Sequence, residues 1–182
     1  LDGMTALENG ESQWITGPQA RADGHAWRAR ACAILTGIGT VKADDPQLSV
    51  RGVDTPRQPR RVIVDSRLEI DLDASILQGE PCWIVAAAPD AGKAAALRAA
   101  GHEVIVLANG AGKVDLPALM LELGRREINE VHVEAGSKLN ASLVREGCVD
   151  ELLVYLAPSL IGAGQGMFAL PPLDHLADKI AL

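Results

Sequence analysis

The sequence predicts an α/β fold of three layers, in which a mainly parallel central sheet is covered by helices on both faces. Short apolar segments that fit strands alternate with longer segments that fit helices, as in sheets whose parallel strands are joined by crossover helices. Two of the helical segments are followed by a glycine, Gly101 and Gly147, which is a common way for a helix to end. The 182 residues are 48% apolar and 23% charged, which fits one globular domain with a buried core.

The elements are expected in a regular order along the chain. Thr16-Gly17-Pro18 predicts a helix start, with Thr16 near the cap and the proline in the first turn, followed by a helix whose arginines face solvent. The predicted helices span residues 18–32, 89–100, 117–126 and 137–145. The predicted strands span residues 33–36, 61–64, 83–87, 103–107, 131–134 and 152–156. Loops are expected at 53–59, a turn at 109–112 and a flexible glycine-rich loop at 162–166.

Charge and composition exclude several classes of function. The net charge of −7 argues against nonspecific binding to nucleic acid or to an anionic membrane surface, which needs a basic protein. No apolar run approaches the roughly 20 residues of a membrane-spanning helix. Cys32, Cys82 and Cys148 are far apart, with no Cys-x-x-Cys pair and no Cys/His cluster, so we expect free thiols in a reducing cytoplasm and no metal.

The segment Thr36-Gly37-Ile38-Gly39-Thr40-Val41-Lys42-Ala43-Asp44-Asp45-Pro46 is the most informative part of the chain. Glycines allow a tight turn and a close approach of ligand to backbone. The Thr40 hydroxyl can bond a phosphate or ribose oxygen, and Asp44 can accept from a ribose hydroxyl or an amide. The proline disfavours helical geometry at Asp45. These features predict a ligand-binding loop, although a plain surface loop after a core strand fits the same residues.

Two further polar segments follow predicted strands, Asp65-Ser66 and Glu134-Ala135-Gly136. Ligands of open α/β sheets bind beyond the carboxyl ends of the parallel strands. All three segments are therefore expected at one edge of the sheet.

Several motifs keep a fixed order along nearly the whole chain. They are Glu11-Ser12-Gln13-Trp14-Ile15-Thr16, the glycine and Asp-Asp-Pro segment, Leu48-Ser49-Val50-Arg51, Arg61-Val62-Ile63-Val64-Asp65-Ser66, Val133-Glu134-Ala135-Gly136-Ser137 and Asp150-Glu151-Leu152-Leu153-Val154-Tyr155-Leu156-Ala157-Pro158. In this order they resemble the C-terminal reductase domain of the RibD family of riboflavin biosynthesis. The resemblance implies a dihydrofolate-reductase-like fold. It also implies NADPH-dependent reduction of the ribosyl group of 5-amino-6-(5-phosphoribosylamino)uracil, a phosphorylated pyrimidine, to the ribitylamino product.

The resemblance also implies roles for particular residues. It makes Glu134 and Asp44 the catalytic candidates. The implied substrate contacts are Ser12, Arg28, Leu48, Arg51 and Glu134. The implied cofactor contacts are Trp14, Thr40, Asp44, Ser66, Gly136, Ser137, Lys138, Leu139, Asn140, Ala141 and Ser142.

The residues alone leave other interpretations open. Glu134 at a strand end also fits a salt bridge to an arginine, and Gly136 also fits a simple helix start. Trp14 also fits the core, and a lone arginine is usually a solvated surface charge. The four histidines have no partners at a recognisable catalytic spacing, so we interpret all four as structural or exposed.

The resemblance implies a homodimer in the cytoplasm and a single reductase domain, residues 1–182, truncated at both ends. In the family a zinc-dependent deaminase domain often precedes the reductase, and its His-x-Glu and Pro-Cys-x-x-Cys motifs are missing from this sequence. Two alternative functions stay open: a related pyridine-nucleotide reductase acting on a pterin, and a non-catalytic module that binds nucleotide or phosphosugar.

Overall fold

Five short parallel strands form the central sheet in the computed structural model, which describes residues 1–181. The strand order across this sheet is β5-β4-β3-β2-β6. The strands are β2 (Ala33–Gly37), β3 (Arg60–Val64), β4 (Trp83–Ala86), β5 (Glu103–Val106) and β6 (Val131–Val133), while β1 (Met4–Leu7) and β7 (Gly164–Gly166) pair elsewhere. The helices are α1 (Pro18–Arg30), α2 (Ile38–Asp44), α3 (Ala91–Ala99), α4 (Leu116–Arg125) and α5 (Ser137–Arg145). The predicted domain end at residue 182 lies outside the described residues.

The sheet is buried on both faces, which explains why its strands are continuous apolar runs. All five residues of β2 are buried, and successive side chains alternate between the two faces. Ile34 packs with α2 and α3 in one core, whereas Leu35 packs with α4 and α5 in the other. The predicted three-layer arrangement is confirmed.

Helix α1 lies outside these two cores and has no fully buried residue. Its N-cap is Gly17, without a side-chain hydrogen bond, so the predicted helix start is confirmed, with Thr16 next to the cap and Pro18 in the first turn. The prediction that its arginines face solvent is wrong for Arg28, whose side chain is only 17% exposed. Arg28 turns inward because a carboxylate on the neighbouring strand end binds it.

The segment predicted as a ligand-binding loop contains helix α2. Val41 is buried and Ile38 packs partly against the same core, so an apolar spacing of three residues holds the segment as a helix. The helix ends where expected: Asp45, before the proline, has a left-handed φ of 40°. The prediction of a loop over residues 37–45 was wrong, because Ile38 and Val41 pack against the core and hold the segment in a helix.

The strand predicted at residues 152–156 is absent from the described part of the chain. These residues form no regular secondary structure, are exposed and pair with no neighbouring strand. Their apolar composition fits a strand, but a strand forms only when its backbone groups find a partner. Among the described residues no helix is long and apolar enough to cross a membrane.

A small antiparallel sheet joins the two ends of the chain. Strand β7 pairs with β1, and Leu7 lies opposite Gly164. The prediction of a flexible loop at residues 162–166 is therefore wrong for the last three residues, because they gain a partner from a distant part of the chain.

The predicted turn at residues 109–112 is confirmed, with the Asn109 side chain accepting hydrogen bonds from two backbone N–H groups. All three cysteines are free.

We expect Gly164→Ala to weaken the β1–β7 sheet, because the added methyl group would overlap the Ala6 carbonyl oxygen. Overpacking of this kind costs about 1–3 kcal/mol. Gly166→Ala is the matched control, since its methyl group would meet no atom within 4 Å. Amide hydrogen exchange of β1 and β7 measures the effect. Equal protection in both variants would contradict the packing described here.

Candidate functional site

Three neighbouring strands, β3, β2 and β6, place the three predicted polar segments at one edge of the sheet. The segments follow the carboxyl ends of these parallel strands, at Gly37, Asp65 and Glu134. The predicted convergence is confirmed as a property of the topology. It brings residues from distant parts of the sequence to one ligand-accessible edge.

Two helices start side by side at this edge, and neither start has a side-chain cap. Helices α2 and α5 begin after Gly37 and Gly136, whereas α3 and α4 are capped by aspartates. A methyl group on Gly37 would lie 3.1 Å from Leu139 Cδ2, and one on Gly136 would lie 3.7 Å from Thr40 Oγ1. Free N–H groups and a positive helix end suit an anion such as a pyrophosphate, and the glycine leaves room for it.

The residues of the 136–142 segment do not all face this edge. Gly136 and Lys138 are exposed at the helix start, whereas Leu139 packs against the second core and Ala141 is buried. The Asn140 side chain donates to the carbonyls of Ala135 and Met167, and the Ser137 carbonyl accepts from Ala169. The Ser142 hydroxyl accepts from Arg145, further along the helix.

An open cleft of about 1190 Å³ lies between α1, β6, the start of α5 and the extended segment near residue 152. Polar side chains of α1 and of the β6 end line one wall. They include Arg28, Glu134, His25 and His132. The cleft is large enough for a nucleotide-sized ligand.

Glu134 is the best-fixed polar group of this cleft. Its carboxylate accepts two hydrogen bonds from Arg28, one from Nε and one of 2.6 Å from an Nη atom, while the other Nη atom donates to the Ser49 carbonyl. Its backbone is fixed by Leu35 and by the Thr36 hydroxyl, which donates to the Glu134 carbonyl at 2.7 Å. The salt bridge left open by the sequence is therefore present, and its carboxylate still faces the cleft.

The charge state of Glu134 follows from these contacts. Burial alone would raise its pKa, but hydrogen bonds from Arg28 and His132, and the charge of Arg28, lower the pKa to about 2. At neutral pH the group is therefore a carboxylate. It can accept hydrogen bonds and stabilise positive charge, but it holds no proton to donate.

Two histidines beside this pair were missed by sequence reasoning, which treated them as structural or exposed. His132 Nε2 lies 3.5 Å from Glu134 Oε1, and His25 Nδ1 accepts the backbone N–H of Arg51 at 3.3 Å. The spacing contained the signal: His132 and Glu134 lie two residues apart at a strand end, and His25 and Arg28 lie three apart on a helix.

Of the other implied substrate contacts, Arg51 is exposed and lines the cleft, whereas Ser12 and Leu48 do not line it. Trp14, an implied cofactor contact, lines the cleft and is 72% exposed, with Arg21 stacked on its ring at 4.5 Å. Trp14 is therefore not a core residue. Ser12 is half-buried, and the Leu48 side chain is buried in the first core.

The remaining implied cofactor contacts lie along the sheet edge. The Ser66 hydroxyl accepts the Val114 N–H at 3.2 Å, so it also ties two loops together. Asp44 is exposed at the end of α2, and no hydrogen bond joins it to Glu134 among the described residues. The two catalytic candidates are therefore not brought into contact.

Comparison with known proteins gives consistent matches. The sequence profile of the family described as RibD C-terminal domain matches residues 1–180. The riboflavin biosynthesis protein RibD of Escherichia coli is 40% identical over 98% of this chain and 51% of its own length. The 5-amino-6-(5-phosphoribosylamino)uracil reductase of Buchnera aphidicola is 30% identical over 86% of this chain and 80% of its own length. The chain spans about half the length of the first RibD relatives.

Solved structures agree in fold. A RibD structure from Acinetobacter baumannii, 36% identical, superposes with a TM-score of 0.85 over 98% of this chain and 49% of its own. The expectation of a dihydrofolate-reductase-like fold is confirmed.

The Arg28–Glu134 pair makes stability depend on acid pH. Because the folded-state pKa of Glu134 is about 2, below its ordinary value of 4.5, the unfolded chain takes up the proton first as the pH falls. The stabilisation is full above about pH 5 and is lost towards pH 2, with a size of about 3 kcal/mol. Urea unfolding of the wild type and of Glu134→Gln should therefore differ most near neutral pH. A difference that does not change between pH 7 and 3 would contradict this assignment.

Proposed function

The chain belongs to the RibD C-terminal domain family, and we propose that it reduces 5-amino-6-(5-phosphoribosylamino)uracil to the ribitylamino product with NADPH. The observation that carries the proposal is the cleft in which an ionised, rigidly held carboxylate lies beside the uncapped start of helix α5. Family membership supplies the reductase class, and a pyridine nucleotide is the cofactor expected of it. The relative from Buchnera aphidicola, which carries the name of this reductase, supports the choice of substrate.

The cofactor fits the residues present. Pyrophosphate suits the start of α5 at Gly136, where a side chain would narrow the space near Thr40. Ser137 and Lys138 add polar groups at the start of α5. When bound, the nicotinamide supplies the hydride.

The chain's own residues then position and stabilise the substrate. Opening the ribosyl ring breaks the bond between C1′ and the ring oxygen. The oxygen takes a proton from solvent and becomes a hydroxyl group, and the positively charged C1′–nitrogen unit that is left accepts the hydride. The Glu134 carboxylate stabilises this charge and accepts hydrogen bonds from sugar hydroxyls, while Arg28 keeps it ionised and in place. Arg51, which has no carboxylate partner among the described residues, binds the phosphate.

The first experiment follows the absorbance of NADPH with this substrate, using NADH as the control. Substrate-dependent oxidation with NADPH preferred supports the proposal. Binding of NADPH without oxidation would instead favour a non-catalytic nucleotide-binding module, and turnover of a pterin alone would favour the other reductase. The homodimer, the cytoplasmic location and a fused deaminase domain stay predictions of the resemblance.

We expect Glu134→Gln to lower kcat by about 100-fold, because the amide keeps the shape but loses the charge that stabilises the reacting centre. Steady-state kinetics measure it. Glu122→Gln is the control, since it also removes an arginine-paired carboxylate, on α4 and away from the cleft. Wild-type turnover of Glu134→Gln would refute the role of the carboxylate.

Arg51→Ala should raise KM for the phosphorylated substrate about tenfold or more, and far more than KM for NADPH, because a charge-assisted phosphate contact is lost. Arg125→Ala, at an exposed position on α4, is the matched control. An equal rise in both KM values would contradict the separation of substrate and cofactor contacts.

A further inference from the structure

His25 lies in the cleft wall between two arginines. It precedes Arg28 by one helical turn on α1, and its Nδ1 accepts the backbone N–H of Arg51 at 3.3 Å. Because Nδ1 is an acceptor, the neutral ring carries its proton on Nε2. Among the described residues no protein group is hydrogen-bonded to Nε2, so this atom is free to donate to a ligand.

Positive charge exceeds negative charge among the groups that act on His25. Arg28 is neutralised by Glu134, but Arg51 forms no ion pair within the described residues. Burial, and then the charges of Arg28 and Arg51, lower the pKa of His25, and Glu134 only partly opposes them. The ring is therefore neutral at physiological pH, at a place with surplus positive charge.

Other carboxylates lie in or near the cleft, at Asp23, Glu130, Asp150 and Glu151, but the charges that act on His25 are those of Arg28, Arg51 and Glu134. Tyr155 donates a hydrogen bond to Asp23 at 2.5 Å, and its pKa is raised to about 12 by burial and by that carboxylate. His132 contacts Oε1 of Glu134, the oxygen that Arg28 Nε also binds. Arg21, one turn before His25, bonds the Thr16 carbonyl and stacks on Trp14.

We propose that His25 binds the phosphate of the substrate, with Nε2 donating to a phosphate oxygen beside Arg51, and that the ring takes up a proton on Nδ1 when the dianion binds, so that the long hydrogen bond from the Arg51 N–H is given up. This inference rests on the proposed function, because it assigns a phosphate-bearing substrate to the same cleft. It adds a contact residue and a proton-linked binding step.

Binding of the phosphate reverses the electrostatic effect of the surroundings on the protonation of His25. In the free protein the arginines disfavour a charged imidazole, whereas a dianion in the same place favours it. The hydrogen bond then joins two ionised groups, which makes it shorter and stronger than a neutral one. Protein and ligand together gain a proton, so affinity rises as the pH falls towards the pKa of the free histidine.

Calorimetry with ribose 5-phosphate tests the proposal without cofactor or turnover. Titrations at about pH 7.5, where the phosphate is mainly dianionic, in two buffers of different ionisation enthalpy count the protons taken up. We expect uptake by the wild-type protein and no binding of ribose at the same concentrations. His25→Gln keeps a donor but cannot be protonated, so uptake should vanish and affinity should fall about tenfold.

His102→Gln is the matched control. Its Nδ1 also accepts a backbone N–H, that of Cys82, and burial also lowers its pKa, but it does not line the cleft. This variant should keep the proton uptake of the wild type. Unchanged uptake in His25→Gln, or equal binding of ribose and ribose 5-phosphate by the wild type, would overturn the proposal.

Kinetics separate this inference from the proposed function. In His25→Gln the rise in KM for the phosphorylated substrate should exceed any fall in kcat. An unchanged KM in an active enzyme would overturn the role of His25 and leave the reductase assignment intact. Conversely, His25-dependent proton uptake in a protein that oxidises neither NADPH nor NADH would contradict the reductase assignment alone.

Discussion

The ion pair between Arg28 and Glu134 is the interaction on which the geometry of the cleft depends. Helix α1 has no fully buried residue, so apolar packing alone fixes it weakly. Arg28 supplies the connection. Its guanidinium binds the Glu134 carboxylate at the end of β6 and the carbonyl of Ser49 in the loop between α2 and β3. One planar group with several donors thus joins a helix, a strand end and a loop. Removing either partner would leave the other charge partly buried and unpaired, at a cost of several kcal/mol.

The parallel sheet determines where such a pair can form. Parallel strands end at the same edge, and the helices that follow start there with unpaired N–H groups. In this chain helices α3 and α4 have aspartate caps, whereas α2 and α5 begin after glycines without a side-chain cap. The same edge therefore combines free donors with the Glu134 carboxylate. An aspartate at Gly37 or Gly136 would satisfy those donors and would also repel an anionic ligand.

Local pattern predicted most of the fold, and its failures have physical causes. The buried strands and the alternation with helices were readable because both faces of the sheet are apolar. The run at residues 152–156 has the same composition, but strand formation depends on a partner that its own residues do not specify. Helix α2 was missed because two glycines masked the Ile38 and Val41 pair. The direction of Arg28 was misjudged because a carboxylate more than 100 residues away decides it.

In the candidate site, too, contiguous motifs could be recognised in the sequence, whereas contacts between residues far apart in the chain could not. Sequence motifs identified Glu134, Arg51 and the helix start at Gly136, since each belongs to a contiguous segment. They did not show that Arg28 uses its donors on Glu134 and Ser49, whereas Arg51 forms no ion pair among the described residues. That distribution separates two tasks within one cleft. In the proposed function, the neutralised pair holds the carboxylate where positive charge develops, and the surplus positive charge near His25 attracts the phosphate. A single arginine serving both would place phosphate and carboxylate in competition for the same donors.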